Sequence, residues 1–408
     1  MQYASSAVMD PTRDDDTRRG RRSAPPRRGR GNRSGSGGRD PLWAKLLVIF
    51  GALLMLGSGI VIVGQKLVFQ AATSSVHQEN LLDPGQQRQH VSINGAKNIL
   101  LVGIDARADQ NPLDPIRADS IIIVHIPATH DRAFLVSLPR DSYVEIPAFD
   151  NGTRKYRGGH DKINAAFAYG GDGLTGLEAR RKGFVLLQQT IKKDFGIDFQ
   201  AGAIVDFEGF KQVVQVLGGV WMNVDEETQS IHVGYDKRGN EKVPSWMDSN
   251  AVAHHVPGIT PKTYKPGYQH LAPWEALDYV RQRDWIPDGD YGRQRHQQQF
   301  IKAIFKEILS SKTLTDTTKL SGVLKVVGQA MTIDSGGIDL EDWIFAMRAI
   351  GGNDIMTVKT NGGNFSGRTI GGQDYEVLTD TSLQLLDAIR TDNVENFVAV
   401  HTDWVSSS

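Results

Sequence analysis

Short apolar runs and longer periodic segments follow one another along the chain. Three runs rich in β-branched residues and bounded by turn-forming residues predict buried strands at 98–104, 120–127 and 132–139. Later, apolar positions recur every three or four residues, which predicts helices at 178–194, 206–217, 273–282 and 290–310. Because strands and helices interleave, we predict an α/β fold with a central mixed β-sheet and helices on both faces, in three layers.

A different pattern precedes the first strand. Residues 1–44 are rich in Arg, Gly, Ser and Pro, with few apolar side chains to offset the entropy of ordering, so we predict a disordered tail. The uncharged segment that follows is about long enough to cross a bilayer, and we predict one transmembrane helix at 45–65. A polar stalk at 66–95 and one domain at 96–408 complete the prediction. A cleaved signal peptide is the alternative, although its apolar stretch is usually only about 7 to 15 residues.

Charge is unevenly distributed. The first 45 residues hold ten Arg, Lys45 and five Asp, a balance of +6, so the remainder carries −7 of the formal net charge of −1. The positive-inside rule therefore predicts a cytoplasmic N-terminus and a domain outside the cell membrane. An acidic domain disfavours a nucleic-acid partner. The absence of cysteine excludes disulfides, thiolate metal sites and cysteine nucleophiles.

Two carboxylates flank neighbouring strand predictions. Asp105 directly follows the first apolar run, and Asp119 directly precedes the second. If these strands are neighbours, both carboxylates emerge at one edge of the sheet, where they suit Mg²⁺, which typically takes one or two carboxylates and phosphate oxygens. Taken singly, each Asp is as well explained as the cap of a turn or a helix.

Arginines recur at the ends of the same elements. Arg117 precedes the second run, Arg140 ends the third, and Arg281 and Arg283 follow the helix predicted from Pro273. Further along, the helical spacing of Asp290, Arg293 and Gln297 places these three on one face. Guanidinium groups gathered from several elements match phosphate or pyrophosphate oxygens. Arg107 and Arg295 are interpreted instead as solvated surface residues.

Other kinds of site are disfavoured by specific absences. The sequence contains no GxGxxG, GxxxxGK[ST] or GxSxG motif. His254 and His255 have no partner at zinc spacing and are interpreted as surface residues. They lie within 230–270, a stretch with little periodicity that reads as a long exposed loop, a feature that is often functional. The kinds of site that remain are phosphate binding and phosphate chemistry.

In order along the chain, the segments NILLVGID, RADSIIIVHI, VSLPRDSYVEIP, DKINAAFAYGG, EALDYVRQRD and DYGRQRHQQQF resemble the LytR-CpsA-Psr (LCP) family of cell-wall glycopolymer ligases. The resemblance implies an LCP-like fold and an enzyme that transfers a glycopolymer from a polyprenyl-pyrophosphate carrier onto peptidoglycan, with Mg²⁺ helping to hold the pyrophosphate. A lipid-pyrophosphate phosphatase and a non-catalytic, membrane-anchored regulatory protein remain as alternatives.

The resemblance also assigns roles to residues. Asp105 and Asp119 fall on the metal-associated positions, and with Arg140 and Asp290 they form the expected catalytic set. The expected pyrophosphate contacts are Arg117, Arg140, Lys162, Arg281, Arg283, Arg293 and Gln297. His296 stands where the family often has a second arginine. The proton acceptor stays open between Asp119 and Asp290, and the apolar helices within 184–217 are the expected wall of a tunnel for the polyprenyl tail.

Overall fold

The three apolar runs form neighbouring strands of one sheet. The computed structural model describes residues 79–82, 92–104, 114–249, 252–287, 289–308, 310, 322–323, 325–326, 331–347, 349–350 and 354–405. The strands are β1 (Lys97–Ile104), β2 (Ala118–Ile126), β3 (Ala133–Leu138), β4 (Tyr143–Ile146), β5 (Phe149–Asp150), β6 (Lys155–Tyr156), β7 (Gly159–Lys162), β8 (Ala201–Asp206), β9 (Val220–Val224), β10 (Thr228–Tyr235), β11 (Glu241–Lys242), β12 (Ser245–Met247), β13 (Ala253–His255), β14 (Thr260–Tyr264), β15 (Gly267–Leu271), β16 (Met331–Asp334), β17 (Ile355–Lys359), β18 (Gly367–Ile370) and β19 (Gln373–Glu376). The central sheet has the order β16-β8-β1-β2-β3-β17. It is mixed, because β8 is parallel to β1 and β17 to β3, whereas the other neighbours are antiparallel.

Helices cover both faces of this sheet. They are α1 (Ile163–Gly171), α2 (Gly176–Phe195), α3 (Phe207–Leu217), α4 (Pro273–Arg281), α5 (Gly289–Ile308), α6 (Leu340–Met347), α7 (Asp380–Arg390) and α8 (Val394–Val400). One buried cluster joins alternate residues of β1–β3 to α1, α2, α7 and α8. Another joins the opposite face to Ile301 of α5 and Trp343 of α6. The predicted three-layer α/β arrangement is therefore confirmed, and the predicted helices and strands lie within a few residues of their expected positions.

A second apolar core lies beside the sheet. It packs α3, α4 and α5 against β9 and β15. Local signals fix α3, because Asp206 Oδ1 accepts a hydrogen bond of 2.8 Å from the amide of Gly209 at its start. Gly218 ends the helix with φ of +81°, a conformation that glycine adopts without steric cost. This core holds α3, α4 and α5 in fixed positions around the edge of the sheet where Asp119 lies.

Residues 230–270 differ from the predicted irregular loop. They form short antiparallel strands, in which β10 pairs with β11 and β14, and β12 pairs with β13. His254 and His255 are exposed on β13, as predicted. The sequence does not predict these strands because they are short, and β11, β12 and β13 are largely exposed, so few apolar positions alternate.

The predicted stalk contributes to the domain. The amide groups of Leu81 and Leu82 donate hydrogen bonds of 2.7 and 2.9 Å to Asp334 Oδ2, and both side chains are buried. The tail and helix predicted at 1–44 and 45–65 lie outside the described residues. Within the part that is described, no helix is both long and apolar enough to cross a membrane.

Candidate active site

The site is built at one edge of the central sheet. Ile104, the last residue of β1, pairs with Ala118 at the start of β2, so Asp119 lies at this edge as the second residue of β2. Asp105 would follow directly, but it lies outside the described residues. Asp290 is placed in the first turn of α5, although its side chain is not among those described. Of the expected catalytic carboxylates, Asp119 is the one whose side chain the structure describes.

A polar cleft of about 270 Å³ opens beside Asp119. Its lining combines residues of the sheet, of α4 and α5, and of the strands after β9. They are Asp119, Arg140, Ile231, His232, Met247, Arg281, Arg283, Asp284, Arg293 and Gln297. Four of the predicted arginines thus share one cleft with Asp119 and Gln297, although they come from three distant segments of the chain.

Asp119 orients two of these arginines. Arg140 Nη1 donates a hydrogen bond of 2.7 Å to Asp119 Oδ1, and Arg293 Nη2 lies 3.4 Å from the backbone oxygen of Asp119. The Asp119 and Arg140 side chains are about one quarter exposed, so the pair faces the cleft in a partly desolvated setting. The buried Oε1 of Gln297 has no hydrogen-bond partner among the described residues. These groups form a preorganised, mainly cationic surface that suits an anion.

Arg117 and Lys162 lie beside the cleft rather than in its lining. Lys162 Nζ is 3.0 Å from Asp141 Oδ1, and Arg140 Nε is 3.7 Å from the other oxygen of the same carboxylate. Arg117 Nη1 donates to Asn164 Oδ1 over 3.5 Å. Both therefore belong to the network around Arg140, and their expected direct contact with pyrophosphate stays a prediction.

Sequence reasoning missed a buried carboxylate and a histidine at the opposite wall. His232 Nδ1 lies 3.0 Å from Asp278 Oδ1, while its ring lines the cleft. Asp278 is buried and also accepts hydrogen bonds from Ser230 Oγ at 2.9 Å and Tyr264 Oη at 2.7 Å. Burial, together with this carboxylate, raises the pKa of Tyr264. Gln282 Nε2 also lies 3.2 Å from His232 Nδ1, but it donates at shorter range, 2.8 and 2.9 Å, to the backbone oxygen and Oδ1 of Asp278. We therefore assign the Nδ1 proton to His232, with Asp278 as its acceptor, and the free lone pair to Nε2.

An apolar cavity of about 190 Å³ adjoins the cleft, and Asp119 and Gln297 line both spaces. It lies between the sheet and α5, and its walls include Ile122, Val280, Phe300 and Ile304. Gly103 and Ser120 pair across β1 and β2. Gly103 has no side chain and that of Ser120 is small, which leaves room at the sheet surface.

The segment expected to form the wall of a tunnel contributes little to this cavity. Of the helices within 184–217, α3 contributes Val213. The apolar residues of α2, such as Phe184 and Leu187, pack instead on the opposite face of the sheet. Periodicity indicated an apolar helix face but could not tell which face of the sheet it covers.

Arg295 also differs from its prediction as a solvated residue. Its side chain is 14% exposed, and its Nε and Nη2 lie 2.5 Å from Asp225 Oδ2 and Glu226 Oε1. His296 is fully buried and stacks on Tyr279 at 4.2 Å. The donor atoms of Asp225, Glu226 and His296 lie close enough together to hold a metal ion. Because Arg295 already pairs with both carboxylates, the cluster is better explained as a structural ion-pair network at the end of β9.

The domain thus combines a mixed sheet covered on both faces with an arginine-rich cleft at the edge of the sheet and an apolar cavity beside that cleft. The LytR_cpsA_psr family model matches residues 66–391. The chain belongs to this family.

Individual relatives agree with this assignment. The chain is 27% identical over 361 residues to a polyisoprenyl-teichoic acid–peptidoglycan teichoic acid transferase, TagU, of Oceanobacillus iheyensis, covering 87% of this chain and 94% of the relative. It is 30% identical over 250 residues to the regulatory protein MsrR of Staphylococcus aureus, covering 60% of this chain and 59% of that protein. A solved structure from Streptococcus agalactiae shares the fold with a TM-score of 0.52 at 20% identity, covering 74% of this chain and 88% of the other.

Proposed function

We propose that the protein transfers a glycopolymer from a polyprenyl-pyrophosphate carrier onto peptidoglycan. The observation that carries the proposal is the junction of the arginine cleft with the apolar cavity at Asp119 and Gln297. An isoprenoid pyrophosphate has the same two parts, a dianionic or more highly charged head and an apolar tail. The name of the TagU relative supports the choice of a glycopolymer as the transferred group and of peptidoglycan as its acceptor.

In this proposal the arginines act on the leaving group. Arg140, Arg281, Arg283 and Arg293 hold the pyrophosphate oxygens. The acceptor oxygen forms its bond to the phosphorus next to the glycopolymer, and the bond from that phosphorus to the bridging oxygen of the pyrophosphate breaks. Polyprenyl phosphate leaves with the bridging oxygen and the bonding electron pair, the arginines stabilise the charge that develops on it, and the polymer keeps one phosphate. Asp119, and Asp105, which directly follows β1 in the sequence, offer oxygen ligands that fit Mg²⁺, which would further offset the pyrophosphate charge.

The peptidoglycan hydroxyl must lose a proton as its oxygen forms the new bond. We assign His232 Nε2 as the acceptor of this proton, since Asp278 orients the ring through Nδ1 and His232 lines the cleft. Asp119 is less suited, because Arg140 occupies its Oδ1 at 2.7 Å.

Replacing His232 with glutamine is expected to lower the rate of transfer by about 100-fold or more, the usual contribution of a general base. Binding of the lipid pyrophosphate should change little, because the arginines remain. Two readouts distinguish this role from a structural one: the affinity for the lipid pyrophosphate and the melting temperature should both stay near those of the unmodified protein while the rate falls. An unchanged rate would show that another group takes the proton.

The binding half of the proposal is tested with three small ligands. Farnesyl pyrophosphate should raise the melting temperature of the full-length protein more than inorganic pyrophosphate at equal concentration, and farnesol should have the least effect, because only the first ligand fills both spaces. Removing Mg²⁺ with EDTA should reduce both pyrophosphate-dependent increments. Equal increments for farnesyl pyrophosphate and farnesol would contradict an arginine-bound head group.

The proposed reaction requires the domain to face the cell wall. The basic residues before the apolar segment predict this orientation, with a single N-terminal membrane helix. In wall-stripped intact cells, added protease should therefore remove a tag placed after Ser408 and spare one placed before Met1. The reverse pattern would exclude a substrate in the cell wall.

A non-catalytic regulatory role is the second candidate, because the MsrR relative is named a regulatory protein. Such a protein would bind the lipid pyrophosphate without transferring its glycopolymer. The His232 variant separates the two functions, since it should impair transfer without impairing binding.

A further inference from the structure

An exposed aromatic pair marks a second concave surface of the domain. Trp221 on β9 and Tyr268 on β15 are 50% and 58% exposed, and their rings stack with centroids 5.5 Å apart. The two strands pair antiparallel, with Trp221 opposite His270 and Tyr268 opposite Asn223, so the rings are diagonal neighbours on one face of this two-stranded sheet. Aromatic side chains this exposed have apolar surface that the rest of the protein does not cover and that a ligand can contact.

The pair forms one wall of a groove of about 290 Å³ whose other wall is α5. The groove is lined by Trp221, Met222, Asn223, Tyr268, Gln299, Lys302, Ala303 and Lys306, none of which lines the arginine cleft or the apolar cavity. Gln299, Lys302, Ala303 and Lys306 are spaced three and four residues apart on α5, whereas Arg293, Gln297, Ile301 and Ile304 face the cleft and the cavity. Helix α5 therefore separates this groove from the arginine cleft and the apolar cavity. We call it the α5 groove.

The α5 groove carries positive charge. Lys306 Nζ lies 5.6 Å from the centre of the Tyr268 ring, and Lys302 lines the groove one helical turn earlier. Burial, and secondarily the charge of Lys306, lower the pKa of Lys302. Lys306, over the Tyr268 ring, gives the groove a cationic group that suits an anion.

The floor of the groove provides an unused hydrogen-bond donor. Gln299 is buried, and its Oε1 lies 3.4 Å from Tyr279 Oη, a hydroxyl that also lies 3.3 Å from Asp225 Oδ1. The amide nitrogen of Gln299, Nε2, is buried and has no hydrogen-bond partner among the residues that the structure describes. A buried amide N–H without a hydrogen-bond partner costs free energy. A hydrogen bond to a ligand oxygen in the groove would remove that cost.

We propose that the α5 groove binds a segment of an anionic glycan, with a sugar ring stacked on Trp221 and Tyr268, a linking phosphate or carboxylate at Lys302 and Lys306, and a sugar oxygen accepting from Gln299 Nε2. Apolar C–H faces of sugars suit aromatic rings, and their hydroxyl and charged groups suit the amide and the lysines. A lipid surface would also attract tryptophan, tyrosine and lysine, but it has no use for a buried amide at the bottom of a recess. The inference rests on the proposed function, which makes a glycopolymer the substrate, and it places part of that polymer outside the reacting cleft.

The test uses the full-length protein in detergent and a fluorescent glycerol-phosphate oligomer that carries no lipid or pyrophosphate. The oligomer should bind the unmodified protein, and Trp221→Ala or Tyr268→Ala should each raise its Kd about tenfold, equivalent to about 1.4 kcal/mol. Lys306→Gln should weaken binding by a smaller factor and reduce its dependence on salt. Trp274→Ala is the matched control, since Trp274 is 42% exposed but lies outside the groove, and it should bind like the unmodified protein.

Several outcomes would overturn the proposal. A neutral N-acetylglucosamine oligomer binding as tightly as the anionic one would contradict the role of the lysines. Loss of oligomer binding in Arg140→Ala, with retention in Trp221→Ala, would place the oligomer in the cleft. Vesicles of phosphatidylglycerol binding in a Trp221-dependent manner, without oligomer binding, would make the groove a membrane contact.

Farnesyl pyrophosphate is measured with the same protein preparations to separate this inference from the proposed function. If the unmodified protein binds farnesyl pyrophosphate but not the oligomer, the groove assignment is wrong and the proposed function stands. If it binds the oligomer through Trp221 but does not bind farnesyl pyrophosphate, the groove assignment is supported and the proposed carrier is wrong.

Discussion

Arg140→Ala is expected to remove most of the stabilisation that farnesyl pyrophosphate gives to the protein. Arg140 lines the cleft and is held by Asp119 at 2.7 Å, so its guanidinium is already oriented towards a bound head group. A hydrogen bond to a charged group contributes about 1.5 to 3 kcal/mol, and a bidentate contact makes two of them. We therefore expect affinity to fall by about 100-fold or more, a loss of about 2.7 kcal/mol, measured as the ligand-dependent shift in melting temperature.

The control for this change is Arg132→Ala. Arg132 forms ion pairs with Asp131 and Glu395 on the surface, away from the cleft, and its loss should leave the ligand-dependent shift unchanged. Arg140→Lys should not recover the lost affinity, because an ammonium lacks the planar pair of donors. If Arg140→Ala and Arg132→Ala showed the same shift as the unmodified protein, the anion would bind elsewhere.

Val213→Phe is expected to block the tail of the carrier while sparing its head group. Val213 on α3 lines the apolar cavity, and a phenylalanine there would occupy part of its 190 Å³. Because the added ring fills existing space, the cost in stability should stay near or below the 1 to 3 kcal/mol typical of overpacking. Farnesyl pyrophosphate should then bind no better than inorganic pyrophosphate, and transfer from a long-chain carrier should fall below detection.

The matched variant is Val216→Phe on the same helix. Val216 is half-buried against the second apolar core and does not line the cavity. Its substitution should leave the preference for farnesyl pyrophosphate intact. A preference for the farnesyl ligand that survived in Val213→Phe would mean that the tail does not enter this cavity.

Most of the sheet could be predicted because its strands are local apolar runs. β1, β2 and β3 are nearly continuous in β-branched and other apolar residues. β3 and most of β2 are buried on both faces as such runs indicate, whereas β1 alternates between buried and half-buried residues. The grouping of Arg140, Arg281, Arg283 and Arg293 followed from their places at the ends of elements and from the family resemblance. It did not require knowledge of the exact packing.

The features that sequence reasoning missed depend on contacts between distant segments. His232 meets Asp278 across 46 residues, and Arg295 meets Asp225 across 70. Helical spacing correctly separated Arg295 from the face of Arg293 and Gln297, but it could not show that the end of β9 covers the other face with two carboxylates. The Trp221 and Tyr268 pair likewise depends on the register between β9 and β15.

Transfer itself is the most direct test of the proposed function. Purified full-length protein is mixed with a carrier whose glycopolymer is labelled and with peptidoglycan oligomers, and the label is followed. If the protein is a transferase, label should join the oligomers in an Mg²⁺-dependent reaction and polyprenyl phosphate should be released. His232→Gln should prevent both. Label released to water with or without acceptor would indicate a phosphatase, and label that stayed on the carrier while bound to the protein would indicate a regulatory protein; either result would contradict a transferase.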